Sequence, residues 1–287
     1  MKKYLSQIFY YLTLERYPNL FRPSSKPYIS GDTFRNFSNH IFDETKSLNP
    51  YSVKKNDVVF LSSELIEIYF QIFHPKINNK YILITHNSDR SIDSTLTKLS
   101  DDKIIHWFAQ NLVEESNSKI SILPIGLENK RWLKHGKSKW FISKNYAKNK
   151  YILSSFNIFN NFEERSKIKD SLNKKELINS HNYKNLDEYF NNLGNYKFVI
   201  CPNGNGPDTH RIWESLILKT YPVLKINKFT NNLKKLGIPG IYLDEWSEID
   251  AYNEKDLDEI YKSLREADKG LFCDYNYWIK NIRGKFI

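Results

Sequence analysis

Between residues 201 and 223 the sequence reads CPNGNGPDTHRIWESLILKTYPV, which brings Gly204, Asn205, Gly206, Asp208, His210, Arg211 and Glu214 together between two apolar segments. Glycines at these positions can take φ > 0 and let a backbone approach a ligand closely. Pro207 suits a first helical turn, where its missing N–H costs nothing. A helix beginning there turns free N–H groups and the positive end of its dipole towards the loop, a ready phosphate site. His210 and Glu214 are four residues apart, and Arg211 and Glu214 three, so these side chains share a helix face. A guanidinium for a diphosphate and a carboxylate for ribose hydroxyls make a nucleotide-binding combination. The plainer alternatives are that Asp208 only complements the helix dipole and that Glu214 only pairs with Arg211. The stretch is neither a Walker loop nor a GxGxxG fingerprint.

The surrounding periodicity predicts alternating strands and helices. Strands are expected at 26–30, 57–63, 80–89, 103–111 and 120–132, then at 151–157, 196–202, in YPVLKI and in GIYLDEW. Helices are expected after Gly31, over ELIEIYFQIFHPKI, NFEERSKIKDSL and PDTHRIWESLILKT, and across the tail from Asn253. The basic, weakly patterned stretch 134–150 reads as a linker, dividing 1–147 from 148–287. The rhythm predicts two α/β units with largely parallel sheets. Ligands of such sheets bind beyond the carboxyl ends of strands. The polar strand endings, Ser30 to Asp32, His86 to Asp89, Gln110-Asn111, Glu128-Asn129, Ser154-Ser155-Phe156-Asn157 and the Asn203 loop, are therefore expected around one cleft.

The 287 residues carry 43 Lys and Arg against 33 Asp and Glu, a formal charge of +10, which favours anionic partners. Cys201 and Cys273 have no further cysteine partners, which excludes a disulfide framework or a cysteine zinc site and points to a reducing, cytoplasmic compartment. Residues 1–20 hold a short apolar patch interrupted by Gln7 and lack a small-residue cleavage site; a packed first helix or a surface-lying amphipathic one is expected. Nothing reaches the ~18 apolar residues of a membrane span. His40, His74, His106, His135 and His181 show no metal spacing, and no GxSxG is present.

FVICPNGNGPDTHRIWESLILKTYPVL resembles the C-terminal signature of exostosin-like glycosyltransferases and their microbial and viral relatives: strand, Pro-x-Gly-x-Gly, Asp-Thr/Ser-His/Phe-Arg, an aromatic, Glu-Ala-Leu, then a Pro-Val strand. YISGDTFRNF, YILITHNSD, HWFAQN and LPIGLENKRW also resemble segments of that group, so the likeness spans roughly 26–225. Ser215 and Lys219 depart from it, standing where small apolar residues or glycine are more usual. The resemblance implies a GT-B fold, two Rossmann-like domains facing across a cleft, with 148–287 holding the nucleotide-sugar donor. It implies that Gly204, Asn205 and Gly206 approach the diphosphate, that Arg211 neutralises it and that Glu214 holds the ribose. Arg165 is a candidate second phosphate ligand or a surface arginine beside Glu163 and Glu164. Asp208, His210, Ser155 and Asn157 complete the expected donor site. No metal or cofactor is implied, since the helix dipole and basic side chains can stabilise the leaving diphosphate.

An inverting transfer needs a base within ~2.6–3.2 Å of the acceptor hydroxyl, supplied from the opposite half. Asp32 is the first candidate, with an N-cap as its alternative role; Asp89 and His86 follow, His86 also reading as a hydrogen-bonded structural histidine. A retaining enzyme needs no such base. Asp244 and Glu245 end a strand near the donor side, Trp107, Trp132 and Trp140 can platform a sugar or pack in the core, and SDDK at 100–103 reads as a turn. The expected partners are a nucleoside mono- or diphosphate sugar and a glycan or lipid-linked acceptor. A peripheral contact with an acidic membrane through Lys2, Lys3 and neighbouring lysines is also expected. A nucleotide-sugar epimerase or hydrolase of similar fold is a second reading. A third is a non-enzymatic polyanion binder; no motif for specific nucleic-acid recognition accompanies it.

Overall fold

The computed structural model describes residues 22–132, 135–141, 146–172 and 176–287; the expected first helix, Lys2 and Lys3 lie outside them. The strands are β1 (His40–Phe42), β2 (Val58–Ser62), β3 (Tyr81–His86), β4 (Ile104–Ala109) and β5 (Ile120–Ile122), then β6 (Lys150–Ser154), β7 (Ile178–Ser180), β8 (Tyr196–Ile200), β9 (Tyr221–Lys225) and β10 (Ile241–Leu243). The helices are α1 (Gly31–Phe37), α2 (Ile66–Ile68), α3 (Ser94–Thr97), α4 (Phe162–Leu172), α5 (Leu186–Leu193), α6 (His210–Ile217), α7 (Lys228–Leu236), α8 (Glu254–Ala267) and α9 (Tyr275–Arg283). Two five-stranded sheets result, ordered β1-β2-β3-β4-β5 and β10-β9-β8-β6-β7, with every pairing parallel.

The order of the first sheet decides how its faces are covered. Right-handed crossovers between strands taken in sequence all lie on one face. Side chains alternate between faces along a strand. Val59, Leu61, Leu83, Trp107 and Ala109 accordingly pack beneath Val53, Ile66, Phe70, Leu96 and Leu112 of the connecting segments. The opposite residues, Val58, Phe60, Ile82, Ile84 and Phe108, have no crossover above them. They pack instead with Phe34 of α1 and with Trp278, Ile279 and Ile282 of α9. The C-terminal helices were expected to stay with the second half; α9 crosses back to close the first core.

In the second sheet the connection from β6 runs to β7 on one side and that from β8 runs to β9 on the other, so a crevice opens at the carboxyl ends of β6 and β8. The α5 helix starts at Asn185, whose side chain accepts from the Glu188 N–H. Asn227 and Thr230 form a reciprocal capping box at the start of α7, which ends at Gly237 with φ 85°.

Several short elements differ from expectation. At 26–30 only isolated bridges form, Tyr28 with Asp274 and Ser30 with Gly126. The helix after Gly31 ends at Phe37, and His40–Phe42 is the edge strand of the first sheet. Much of 142–150 lies outside the described residues, but Lys148, within the expected linker, is buried. Its Nζ donates to the carbonyls of Tyr196 and Leu218 and to Thr220 Oγ1.

Trp278 is buried against the first sheet and donates from Nε1 to the Phe272 carbonyl at 2.9 Å. Trp278→Ala should cost about 3–5 kcal/mol, seen as a lower urea midpoint, although the residue lies far along the chain from the strands it covers.

Candidate functional site

The carboxyl ends of the two sheets meet at a cleft of about 930 Å³. Asp89, Ile125 and Glu128 line one wall, and the β6 and β8 loops with the first turn of α6 line the other. The cleft therefore sits at the switch between β6 and β8, where a parallel sheet binds ligands.

The turn after β8 is built differently from expectation. Neither Gly204 nor Gly206 has a positive φ. The Gly204 N–H donates to the Gly206 carbonyl at 2.9 Å. Gly206 is needed because a Cβ there would sit 2.8 Å from the Asp89 carbonyl and 2.9 Å from Asn111 Nδ2. It is fixed by contact with the first half of the chain. Asn205 is exposed, and its Nδ2 donates to Asp89 Oδ2 at 3.2 Å. The helix begins at His210, three residues beyond Pro207, because Thr209 is extended with φ −131° and caps without its side chain.

Asp208 explains that delay. Its carboxylate is buried and accepts from the Ile125 N–H at 2.7 Å and from Trp213 Nε1 at 2.8 Å, while its own N–H donates to Asn111 Oδ1. Burial pushes its pKa up to about 7, against the pull of those hydrogen bonds. Asp208 is thus a bridge between the halves, and both its oxygens already have protein partners. Arg165 is also buried. Nε donates to the Asn203 carbonyl at 2.7 Å, Nη1 to Asn157 at 2.7 Å and Nη2 to Pro202 at 3.4 Å. It ties the β6 and β8 loops together and leaves little of its fork for a phosphate. The Asn157 side chain caps the following turn by accepting from the Phe159 N–H, whereas Ser155 is half-buried on the cleft wall.

Arg211 and Glu214 are placed as a binding pair would be. Arg211 Nε donates to Tyr189 Oη at 3.3 Å, and among the described residues no other hydrogen bond or ion pair engages its guanidinium. Glu214 has none at all among them, including none with Arg211. Both line the cleft, with Tyr189 behind them. Burial raises the Glu214 pKa to about 7 despite the His210 and Arg211 charges nearby.

His210 faces the other way. Its Nδ1 lies 2.8 Å from the Gly126 carbonyl and its Nε2 3.2 Å from Glu128 Oε2, so both nitrogens meet acceptors. Only the imidazolium can donate to both. Burial opposes this charge, but Glu128 outweighs it and raises the His210 pKa well above 6.5; burial likewise opposes the Glu128 carboxylate, which His210 holds low.

The three candidate bases part company here. Asp32 has no exposed surface, follows the true N-cap Ser30, and pairs with buried Arg22 at 3.0 Å. Burial raises its pKa against the Arg22 charge. His86 is buried, with Nε2 donating to the Pro124 carbonyl and Nδ1 accepting from the Asn87 N–H. Burial takes its pKa to about 4, so it is neutral with both nitrogens occupied. Asp89 alone is exposed, and it lines the cleft. Trp107 and Trp140 are core residues. Glu128, Tyr183 and Tyr189 are cleft residues not among the expected ligands. The last two lie on or beside α5, after the three-residue β7, which is too short to show periodicity. Among the described residues no three His, Cys, Asp or Glu side chains gather as a metal site, and no helix is long and apolar enough to cross a membrane.

The chain is therefore an α/β protein of Rossmann-like topology with a polar cleft at its strand ends. No family model and no curated protein matches its sequence. Among solved structures it is similar to the N-terminal domain of trehalose-6-phosphate phosphatase from Candida albicans. The identity is 14% and the TM-score 0.43, over 82% of this chain and 73% of that one. A likeness at that distance carries no argument about ligand or activity.

Two outcomes follow from the charges. The raised Glu214 pKa makes its ionised form costly, so its contribution to stability is fullest below pH 4.5 and fades as the pH rises through about 7. Glu214→Gln should relieve about 1 kcal/mol above that pH, after discounting for partial exposure, and raise Tm by ~2–4 °C. The His210–Glu128 pair contributes fully between pH 4.5 and 6.5; it fades as the pH climbs towards the raised value of the imidazolium and as it falls towards the lowered value of the carboxylate. Wild-type Tm should fall from about pH 7 to about pH 10 more steeply than that of His210→Gln.

Proposed function

We propose that the protein is a glycosyltransferase. It moves a sugar from a nucleotide-sugar donor to a hydroxyl of a glycan or glycoconjugate acceptor, with its two Rossmann-like units arranged as in the GT-B class. The observation that carries this reading is Arg211 and Glu214, neither engaged by the other, one turn apart at the switch-point end of the second sheet. The open guanidinium and the uncapped start of α6 offer donors where negative charge develops on a leaving diphosphate. Glu214, when ionised, accepts from ribose hydroxyls.

In an inverting transfer the acceptor oxygen attacks the anomeric carbon as the bond from that carbon to the diphosphate oxygen breaks. The hydroxyl proton passes to Asp89, and the diphosphate leaves with the bonding electrons. Asp89 suits this role as an exposed carboxylate on the wall facing Arg211. Its hydrogen bond from Asn205 Nδ2 orients it without occupying both oxygens.

Calorimetric titration with UDP, GDP, CMP, dTDP and ADP, free and as sugar conjugates, tests the donor site. One nucleotide should bind, and Arg211→Ala and Glu214→Ala should each weaken it at least tenfold, the worth of a hydrogen bond to a charged group at ~1.5–3 kcal/mol. If the folded protein binds none of them, the reading fails.

A further inference from the structure

A second, smaller pocket of about 220 Å³ opens beside the cleft, and Asp89, Ile125, Glu128 and His210 line both. Its volume corresponds to roughly seven waters at ~30 Å³ each, the scale of one sugar ring. We infer that this pocket seats an uncharged sugar ring, so that the end of the acceptor entering the site bears neither phosphate nor carboxylate. Its role as the acceptor's seat rests on the transferase reading above; its ligand chemistry rests on its own side chains.

Three carboxamides line the walls: Asn87, Gln110 and Asn129. Each combines donors with an acceptor, as a sugar hydroxyl does, and so can meet a polyol without a net charge. Gln110 is 1% exposed, and its Nε2 donates to the Ser88 carbonyl at 3.0 Å. Its Oε1 is buried with no partner. A buried acceptor left unpaired is costly, and a ligand hydroxyl is a donor of the right kind. Asn129 and Asn87 are held by each other and by Asp32: Asn129 Nδ2 donates to Asn87 Oδ1 at 3.0 Å, Asn129 Oδ1 accepts from the Asp32 N–H at 2.7 Å and Asn87 Nδ2 donates to Asp32 Oδ1 at 3.3 Å, which leaves each amide its second N–H. Gly31 makes room for them, since a Cβ there would fall 1.7 Å from Asn87 Oδ1.

Trp132 supplies a flat apolar surface for the C–H face of a ring. Of the six tryptophans it alone is not buried.

The charges select against anions. The chain carries +10 overall, yet each cation on this pocket stands beside a carboxylate. Arg131 pairs through Nη1 with Glu44 at 3.2 Å and lies over the Trp132 ring at 5.1 Å, with its Nε buried and without a hydrogen-bond partner. His210 is held between Glu128 and the Gly126 carbonyl. Asp89 remains as an exposed carboxylate and Glu128 lines the pocket beside it, so an anion entering meets two like charges, while each cation there already faces a carboxylate.

Because the other five tryptophans are buried, tryptophan emission reports on this pocket. The full chain would be titrated with methyl glycosides of neutral hexoses, and in parallel with hexose 6-phosphates and hexuronic acids. At least one neutral glycoside should give a saturable change, and its charged counterparts should bind at least tenfold more weakly. Trp132→Ala should weaken glycoside binding at least tenfold while leaving nucleoside diphosphate binding intact, which controls for folding. Trp132→Phe should silence the emission change but keep binding by saturation-transfer NMR. Three results would overturn the inference: sugar phosphates binding as tightly as neutral glycosides, glycoside binding indifferent to Trp132→Ala, or no glycoside binding by protein that still binds a nucleoside diphosphate. Glycoside binding without any nucleotide binding would leave the pocket's chemistry standing and remove the transferase reading.

Discussion

The Asp208 carboxylate joins the segment that follows the first sheet to the start of α6, and much of the cleft depends on how it is satisfied. One oxygen takes the Ile125 N–H from the end of the first sheet, the other takes Trp213 Nε1 from the buried side of α6. Those bonds fix the start of α6 relative to the Leu123–Asn129 segment. That in turn sets His210 against Glu128 and leaves Arg211 and Glu214 turned into the cleft. A buried carboxylate is tolerable only when both oxygens find donors. Here the donors come from opposite halves of the chain, so satisfying the charge and closing the interface are one event.

A second consequence concerns which charges remain open. His210, Arg165 and Arg131 all have protein partners, and each looks on paper as available as Arg211. The geometry separates cations engaged by several protein acceptors from one that is not. Arg165 braces the β6 and β8 loops through three carbonyls, and Arg211 is left with only a tyrosine hydroxyl. Electrostatic preorganisation of this kind needs a rigid frame around one unengaged donor set.

Much of this was legible in the sequence, but unevenly. β2, β3, β4, β6, β8 and β9 are continuous apolar runs, and buried parallel strands read that way. β1 and β7 have three residues each, too few for any period, and β1 falls inside a stretch that reads as helix. Of the polar strand endings, Asp89, Glu128, Ser155, Asn157 and the turn at 204–206 line the cleft, whereas Asp32, Asn111 and Ser154 are buried away from it. Which of them open on the cleft and which serve the fold was not legible, because it depends on partners distant in sequence: Arg22 for Asp32, Pro124 for His86, Ile125 for Asp208. The two glycines of the β8 loop illustrate the same limit. Their positions suggest backbone flexibility, whereas Gly206 answers to the crowding of Asp89 and Asn111.

The closure of the first sheet by α9 also governs how the chain can be made. On the ribosome the strands carrying Phe60, Ile82 and Ile84 emerge long before Trp278 and Ile282. Until then, among the described residues, Ile29, Leu123 and Phe34 of α1 are what this face packs against, and it is open to non-productive contacts. A nascent chain therefore cannot finish its first unit before its last helix is released. Vectorial synthesis, usually an aid to folding one unit at a time, here obliges the two units to mature together.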